Sequence, residues 1–162
     1  MNVAEQLVAQ LVDAGVHRIY GIVGDSLNPI VDAVRKTGGS AKGGIDWVHV
    51  RHEEAAAFAA AAEAQLTGEL SVCAGSCGPG NLHLINGLYD AQRSGAPVLA
   101  IASHIPSVQI GQSYFQETHP DRLFNECSVY SELIYTPKQA PRVVNAEISH
   151  AVCLSGESVI SL

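Results

Sequence analysis

Two adjacent carboxylates, Glu53 and Glu54, are the residues of this sequence best suited to proton chemistry. They follow the apolar segment Trp47–Val50 and precede a run of small residues from Ala55 to Leu66. The first pattern predicts a short strand and the second predicts a helix. Because ligands of an open parallel sheet bind just beyond the carboxyl ends of its strands, both acids lie where chemistry is expected.

The two acids also have a purely structural interpretation, since acidic residues at a helix start complement the helix dipole and bond to its free amides. Small apolar residues around Glu53 imply little water, and a carboxyl shielded from water is suited to exchanging protons. We therefore assign the chemical role to Glu53 and expect Glu54 to be the solvated acid. A helical zinc motif is not predicted, because no second histidine follows His52 one turn later.

A second candidate turn, Gly75–Gly80, follows the predicted strand Leu70–Ala74. Its glycines allow the backbone to approach a ligand closely. His83 comes on the first turn of the next helix, where it is either a structural histidine or part of the site. The turn lacks both the dinucleotide fingerprint and the P-loop lysine, so the sequence does not predict a nucleotide held by this domain alone.

The elements that position these turns alternate regularly along the chain. The predicted strands are Arg18–Val23, Trp47–Val50, Leu70–Ala74, Val98–Ala102, Glu132–Tyr135 and Ser158–Leu162. The predicted helices begin near Val3, Pro29, Ala55, Leu82, Pro120 and Pro141. This alternation predicts an α/β fold, a three-layer αβα domain of flavodoxin-like type with a six-stranded, mostly parallel sheet.

Two long segments interrupt this alternation. Gly38–Gly44 is glycine-rich, which predicts a flexible surface loop without chemistry. The polar segment His104–His119 is long enough that we expect it to contribute to function as well as to connect two elements.

The composition predicts one globular domain and excludes two classes of partner. With 162 residues, 47% of them hydrophobic, the chain can bury a substantial core. Only 15% of the residues are charged and the formal net charge is −7, which argues against nucleic acid and anionic lipid as partners. Because the chain shows neither a signal peptide nor a membrane-spanning apolar run, we expect a cytoplasmic protein.

The four cysteines, Cys73, Cys77, Cys127 and Cys153, lack the paired spacing of a structural zinc site. In a cytosolic protein we expect them to be buried and reduced. Cys73 and Cys77 flank the glycine turn, but a reactive thiol needs an electropositive setting that the sequence does not establish.

Several motifs together resemble the N-terminal pyrimidine-binding domain of thiamine diphosphate enzymes. They are the segments Arg51–Ala60, Gly75–Gly80, Asn86–Ala91 and Phe115–Pro120. The resemblance covers nearly the whole chain. Individually the motifs are shared with acetolactate synthases, whereas Gly24–Asn28 together with Phe115–Pro120 is similar to the quinone-dependent pyruvate dehydrogenases, also called pyruvate oxidases.

This resemblance implies residue roles. The carboxyl at Glu53 would hydrogen-bond to N1′ of the cofactor's aminopyrimidine ring and supply the proton that activates the cofactor. The remaining cofactor-binding positions would be Asp25, Ser26, Ser76, Gly78, Gly80 and His83. The substrate pocket would include Phe115, Gln116 and His83. No metal ligand is expected in this chain.

The resemblance also implies the reaction and the rest of the protein. Pyruvate would be oxidatively decarboxylated to acetate and CO₂, with electrons passing through FAD to quinone. FAD would be bound by a middle domain, and Mg²⁺ with the diphosphate by a C-terminal domain, both outside this chain. We expect residues 1–162 to be one domain of a longer polypeptide and to be inactive alone, because the last predicted strand ends with the sequence.

The implied assembly is a homodimer or homotetramer, for which the small residues from Ala55 to Ala64, together with Ala91, would allow close contact between helices of two copies. Membrane contact, at the inner face of the cell membrane, would involve only regions outside this chain.

Two alternative functions remain. Acetolactate synthase or another 2-keto acid decarboxylase would share the domain. A non-catalytic flavodoxin-like module, such as a receiver domain, fits the alternation equally well, but it needs a phosphoacceptor aspartate where this chain has Gly75-Ser76-Cys77.

Overall fold

A computed structural model describes all of residues 1–162 and confirms the predicted fold class. The strands are β1 (Arg18–Gly21), β2 (Asp46–His49), β3 (Ser71–Gly75), β4 (Val98–Ala102), β5 (Tyr130–Leu133) and β6 (Glu157–Ser161). The helices are α1 (Val3–Asp13), α2 (Asn28–Lys36), α3 (Glu53–Thr67), α4 (Pro79–Ser94), α5 (Pro120–Leu123) and α6 (Ala140–Leu154). All five strand pairings are parallel, in the order β2-β1-β3-β4-β6-β5.

Two hydrophobic cores lie on opposite faces of the sheet, which gives the three layers. The larger core packs α1, α2 and α6 against one face and includes Leu11, Ile101 and Val144. The other core packs α3 and α4 against the opposite face and includes Leu84 and many alanines. Because every strand runs in the same direction, the strands end at one edge, where their connections meet.

Helices α3 and α4 approach each other closely because their facing residues are small. A Cβ atom at Gly87 would lie 2.5 Å from Ala57 Cβ and 2.7 Å from the Phe58 main-chain nitrogen, so only glycine fits there. This packing uses alanines that the sequence analysis assigned to contact between copies: Ala56, Ala57, Ala60, Ala61 and Ala64 are buried within the chain. These five alanines are therefore covered by α4 and the sheet and do not provide the contact between copies that was predicted for them; the prediction of a homo-oligomer itself is not tested by this packing.

Several predicted element boundaries are also wrong, for local reasons. β1 ends at Gly21, before the predicted Val23, and α3 begins at Glu53 because the His52 side chain caps it. β5 lies two residues earlier than predicted, since its pairing with β6 begins at Tyr130, opposite Ser158.

The structure also differs from the prediction at the start of α4, at the end of α5 and in the glycine-rich loop. α4 begins at Pro79 and not near Leu82, so that Gly80 is already helical. α5 ends at Leu123, whereas the sequence pattern predicts that it continues to Glu126. The glycine-rich loop contains a short 3₁₀ turn, Ser40–Lys42.

The cysteines are unpaired, and three of them are buried as predicted, whereas Cys153 is exposed on α6. Burial raises the pKa of the Cys73 thiol to about 12, with a smaller contribution from the nearby Glu157 carboxylate, so this thiol is inert at neutral pH. None of the helices is both long enough and apolar enough to cross a membrane.

Candidate active site

Glu53 is the first residue of α3 and lies at the exit of β2, where the sequence analysis expected it. Its side chain is only 10% exposed, and its Oε2 lies 3.2 Å from His83 Nδ1 on α4. The preceding residue, His52, caps the helix: its Nδ1 accepts from the Glu54 main-chain N–H at 3.3 Å. The acid is therefore held on a rigid strand-to-helix turn and bonded to the neighbouring helix.

Glu54 is the more exposed of the two acids, as the sequence analysis expected, with 38% of its side chain accessible. Its Oε1 accepts a hydrogen bond from Asn86 Nδ2 at 2.6 Å. Each of the adjacent acids thus bonds to α4, three residues apart along that helix, and only Glu53 is shielded from water.

The glycine turn places main chain without side chains next to Glu53. A Cβ atom at Gly80 would lie 2.8 Å from Ser76 Oγ and 3.2 Å from Glu53 Oε1. Gly78 has a φ of +73°, and a Cβ atom there would lie 3.0 Å from the main-chain oxygen of Gln116. The positive φ requires glycine at Gly78, and a side chain at Gly80 would press on Ser76 and on the Glu53 carboxyl. With glycine at both positions, the surface beside the buried carboxyl is main chain.

A chain of hydroxyl groups joins the exits of β1, β3 and β4. The Cys77 main-chain N–H donates to Ser26 Oγ at 3.0 Å, and the Ser26 and Ser103 hydroxyl oxygens are 2.7 Å apart. Ser103 Oγ in turn donates to the Gly75 main-chain oxygen at 3.1 Å, so that Ser26 is left to donate to Ser103. The Ser26 hydroxyl therefore holds the glycine turn in place through Cys77. The resemblance gives this same residue as a cofactor-binding position.

Asn81 extends this network at the start of α4. The residue is fully buried, and its Nδ2 donates to the Ser103 main-chain oxygen at 2.8 Å. The side chain thus ties the first turn of α4 to the exit of β4.

The long loop between β4 and α5 folds around Glu117. This carboxylate accepts from the main-chain N–H groups of Gly111 at 2.6 Å and Tyr114 at 3.3 Å. The Gly111 bond, with a smaller contribution from Tyr114, lowers the pKa of Glu117 despite some desolvation, so the loop is fastened by a charged group at neutral pH. The neighbouring Gln116 packs on Gly78, which brings the loop to the glycine turn.

The structure joins most of the predicted site residues through direct contacts. Glu53 contacts His83 and Gly80, Gly80 contacts Ser76, and Gly78 contacts Gln116. Ser26 reaches the same turn through the main-chain N–H of Cys77. Asp25 is exposed in the turn after β1, and Phe115 is 81% exposed and packs on Tyr114. Neither of these two contacts the buried carboxyl.

Sequence reasoning missed four polar residues of this region. They are His52, Asn81, Asn86 and Ser103. Ser103 directly follows β4, so the rule that ligand sites lie at strand exits would have found it. The bonds of Asn81 and Asn86 depend on how α4 packs on β4 and on α3, for which the sequence carries no direct signal. The His52 cap is local, but histidine is not among the residue types that usually mark a helix start. No group of three histidine, cysteine, aspartate or glutamate residues in residues 1–162 is placed to hold a metal ion.

Comparison with known proteins gives one family. The profile described as thiamine pyrophosphate enzyme, N-terminal TPP binding domain, matches residues 1–123. An uncharacterised 42.6 kDa protein of Pseudomonas amyloderamosa is 63% identical over 159 residues, which cover 98% of this chain and 39% of that protein.

Two relatives have named activities. Pyruvate oxidase of Lactiplantibacillus plantarum is 37% identical over 148 residues, covering 91% of this chain and 24% of that protein. The large subunit of acetolactate synthase isozyme 2 of Escherichia coli is 35% identical over 153 residues, covering 94% and 27%. The chain thus spans between 24% and 39% of the length of these three curated relatives.

Proposed function

The chain belongs to the thiamine pyrophosphate enzyme family, as an N-terminal cofactor-binding domain, and we propose that it is the N-terminal domain of a pyruvate dehydrogenase (quinone). In this proposal the whole enzyme decarboxylates pyruvate oxidatively to acetate and CO₂ and passes the electrons through FAD to quinone. The observation that carries the cofactor assignment is the buried Glu53 carboxyl, bonded on one oxygen to His83 and bordered on the other by bare glycine backbone.

These residues fit the aminopyrimidine half of thiamine diphosphate, the other name of thiamine pyrophosphate. Glu53 Oε2 is bonded to His83, which leaves Oε1 beside Gly80. A flat ring with both N–H donors and nitrogen acceptors can bond to a carboxyl group and lie against glycine main chain. We expect Glu53 to hold this ring and the glycine turn to admit it.

The proposed mechanism assigns one task to each part of the site. When bound, thiamine diphosphate supplies the ring that accepts the electron pair as a 2-keto acid loses CO₂. Glu53 holds and exchanges a proton at Oε1, in a setting with little water. His83 orients that carboxyl through Oε2, and the hydroxyl chain of Ser26 and Ser103 holds the glycine turn in place.

Other regions of the proposed enzyme supply what this chain does not hold. FAD belongs to a middle domain, and Mg²⁺ with the diphosphate to a C-terminal domain. The enzyme is a homodimer or homotetramer in the cytoplasm, peripheral at the inner face of the cell membrane through those other regions.

The second candidate function is acetolactate synthesis, which is favoured by the nearly equal identity to the Escherichia coli enzyme. The segments Gly24–Asn28 and Phe115–Pro120 support pyruvate oxidation instead. The full-length protein, supplied with pyruvate, thiamine diphosphate, Mg²⁺ and FAD, is tested for quinone reduction and for acetolactate formation. Pyruvate-dependent quinone reduction without acetolactate is the expected result; acetolactate as the main product would overturn the proposal. A Glu53→Gln variant serves as the inactive control.

The 162-residue chain by itself should bind thiamine diphosphate too weakly to measure. One net hydrogen bond contributes about 1 kcal/mol, whereas association costs at least about 4 kcal/mol, and the charged diphosphate has no anchor here. Isothermal titration calorimetry of the chain with thiamine diphosphate and Mg²⁺ is the measurement. Micromolar affinity would mean that the diphosphate anchor lies within residues 1–162.

A further inference from the structure

His52 immediately precedes the buried acid and contacts two parts of the site at once. Its Nδ1 accepts from the Glu54 main-chain N–H at 3.3 Å, which fixes one edge of the ring to the start of α3. Its face stacks on His83 of α4, with ring centroids 4.3 Å apart and planes inclined by 28°. Both side chains are partly exposed, by 49% for His52 and 43% for His83. Without the stacking contact, either ring could rotate into solvent.

The orientation of His83 decides which of its nitrogens faces Glu53. Only Nδ1 does so, at 3.2 Å from Oε2. The proton of Glu53 is assigned to Oε1, so Oε2 can only accept a hydrogen bond, and a neutral His83 in this geometry carries its proton on Nδ1. Its Nε2 is then a free acceptor on a partly exposed ring.

We propose that His52 is a positioning residue: its ring, fixed by the helix cap, holds His83 so that His83 donates Nδ1–H to Glu53 and keeps Nε2 as an acceptor. The purpose assigned to this arrangement rests on the proposed function, because an oriented proton acceptor beside Glu53 is useful to a 2-keto acid decarboxylase. The arrangement itself does not depend on that function.

Two substitutions separate the cap from the stacked ring. His52→Asn keeps a side chain that caps helices well but removes the ring. His52→Phe keeps a flat ring of similar position but removes the capping acceptor. The matched control is His150→Asn, because His150 stacks on Tyr130 with centroids 4.1 Å apart, on the other face of the sheet.

The first measurement uses the 162-residue chain with ¹⁵N-labelled histidine and no cofactor. Two-bond ¹H–¹⁵N spectra report which ring nitrogen is protonated, and a His83→Gln variant assigns the signal. We expect an Nδ1-protonated His83 in the wild type and in the His150→Asn control, a small share of the second tautomer in His52→Phe, whose ring is no longer fixed by the cap, and a mixture of both tautomers in His52→Asn. An Nε2-protonated His83 in the wild type, or an unchanged signal in His52→Asn, would overturn the proposal.

The second measurement uses the full-length enzyme. His52→Asn should lower kcat/KM for pyruvate about tenfold through misplacement of the site, and His52→Phe should lower it distinctly less. A larger loss with His52→Phe than with His52→Asn would show that the cap, not the ring, matters and would overturn the proposal. Absence of any pyruvate turnover in the wild type would contradict the proposed function alone, because the tautomer measurement needs no substrate.

Discussion

Glu53 at the start of α3 and Glu147 in the middle of α6 are both buried glutamates, but their surroundings differ. Glu53 keeps 10% of its side chain accessible and bonds to His83. Glu147 is fully buried, and neither of its carboxyl oxygens has a hydrogen-bond partner. The nearby Ser158 hydroxyl donates to the main-chain oxygen of Glu147, at 2.9 Å, and not to the carboxyl.

A third buried glutamate, Glu157 at the start of β6, resembles Glu147. It too is fully buried with both oxygens unpartnered. Desolvation raises the pKa of Glu147 to about 9 and that of Glu157 to about 8, so both are protonated at neutral pH. An acid that is buried without a partner is therefore a poor candidate for proton exchange. Glu53 differs in having a hydrogen-bond partner and in keeping a tenth of its side chain accessible.

The strongest test of this difference is Glu53→Gln in the full-length enzyme. The amide cannot exchange the proton, so we expect activity to fall by between about a hundredfold and ten-thousandfold. Turnover of pyruvate and exchange of the cofactor's C2 proton, followed by NMR, measure the loss. The thermal unfolding midpoint should stay close to that of the wild type. Near-normal turnover would show that the buried, partnered acid is not the chemical one.

The two unpartnered acids, Glu147 and Glu157, should instead make the free energy of unfolding depend on pH. In the unfolded chain each glutamate loses its proton near its ordinary value of 4.5, whereas the folded chain keeps it until about pH 9 at Glu147 and about pH 8 at Glu157. The folded state thus binds more protons between these values, and the free energy of unfolding falls as pH rises. Each group contributes a slope of up to about 1.4 kcal/mol per pH unit, which disappears above its folded pKa.

Glu147→Gln tests this expectation, because it removes one of the two groups at nearly constant size. Urea unfolding between about pH 6 and about pH 8 measures how the free energy of unfolding changes with pH. In the variant this change should be roughly half of that in the wild type. Near the upper end of that range the variant should be the more stable protein. An unchanged slope would mean that Glu147 is ionised in the folded chain, through a partner such as buried water.

Sequence reasoning located Glu53 because strand exits are predictable from hydrophobic patterns, but it could not identify Glu147. The α6 residues buried beside it, Val143, Val144 and Ala151, recur at helical spacing with Glu147 between them. The spacing places this glutamate on the buried face, whereas its residue type predicts an exposed position. The stack of His52 on His83 was equally hidden, since it depends on the exact approach of α3 and α4.

Gly87→Ala tests the close packing of α3 against α4. The new methyl group would lie 2.5 Å from Ala57 Cβ, so the helices must separate. We expect the free energy of unfolding to fall by about 1–3 kcal/mol. Activity should fall as well, because the hydrogen bonds from Glu53 and Glu54 to α4 lengthen. The contribution of Glu147 to the pH dependence of the free energy of unfolding should not change. Full stability with unchanged activity would show that the helix pair is loosely packed.

Glu54→Gln should have the smallest effect of these variants. The amide oxygen can still accept from Asn86, and only the favourable interaction of a charge with the helix start is lost, about 0.5 kcal/mol. Activity of the full-length enzyme should stay within a few-fold of wild type, as read by the same turnover assay. A loss equal to that of Glu53→Gln would exchange the roles of the two acids.

The position of β6 affects how the chain folds while it is being synthesised. β5 joins the sheet only through β6, and β6 lies between β4 and β5. On the ribosome, β2, β1, β3 and β4 can pair as soon as they emerge, together with Glu53 and the glycine turn. β5 must then wait for Glu157–Ser161 to emerge, and until that moment the outer edge of β4 is unpaired. Slow elongation over α6 should therefore favour aggregation of nascent chains, whereas a chaperone that covers the edge of β4 should suppress it.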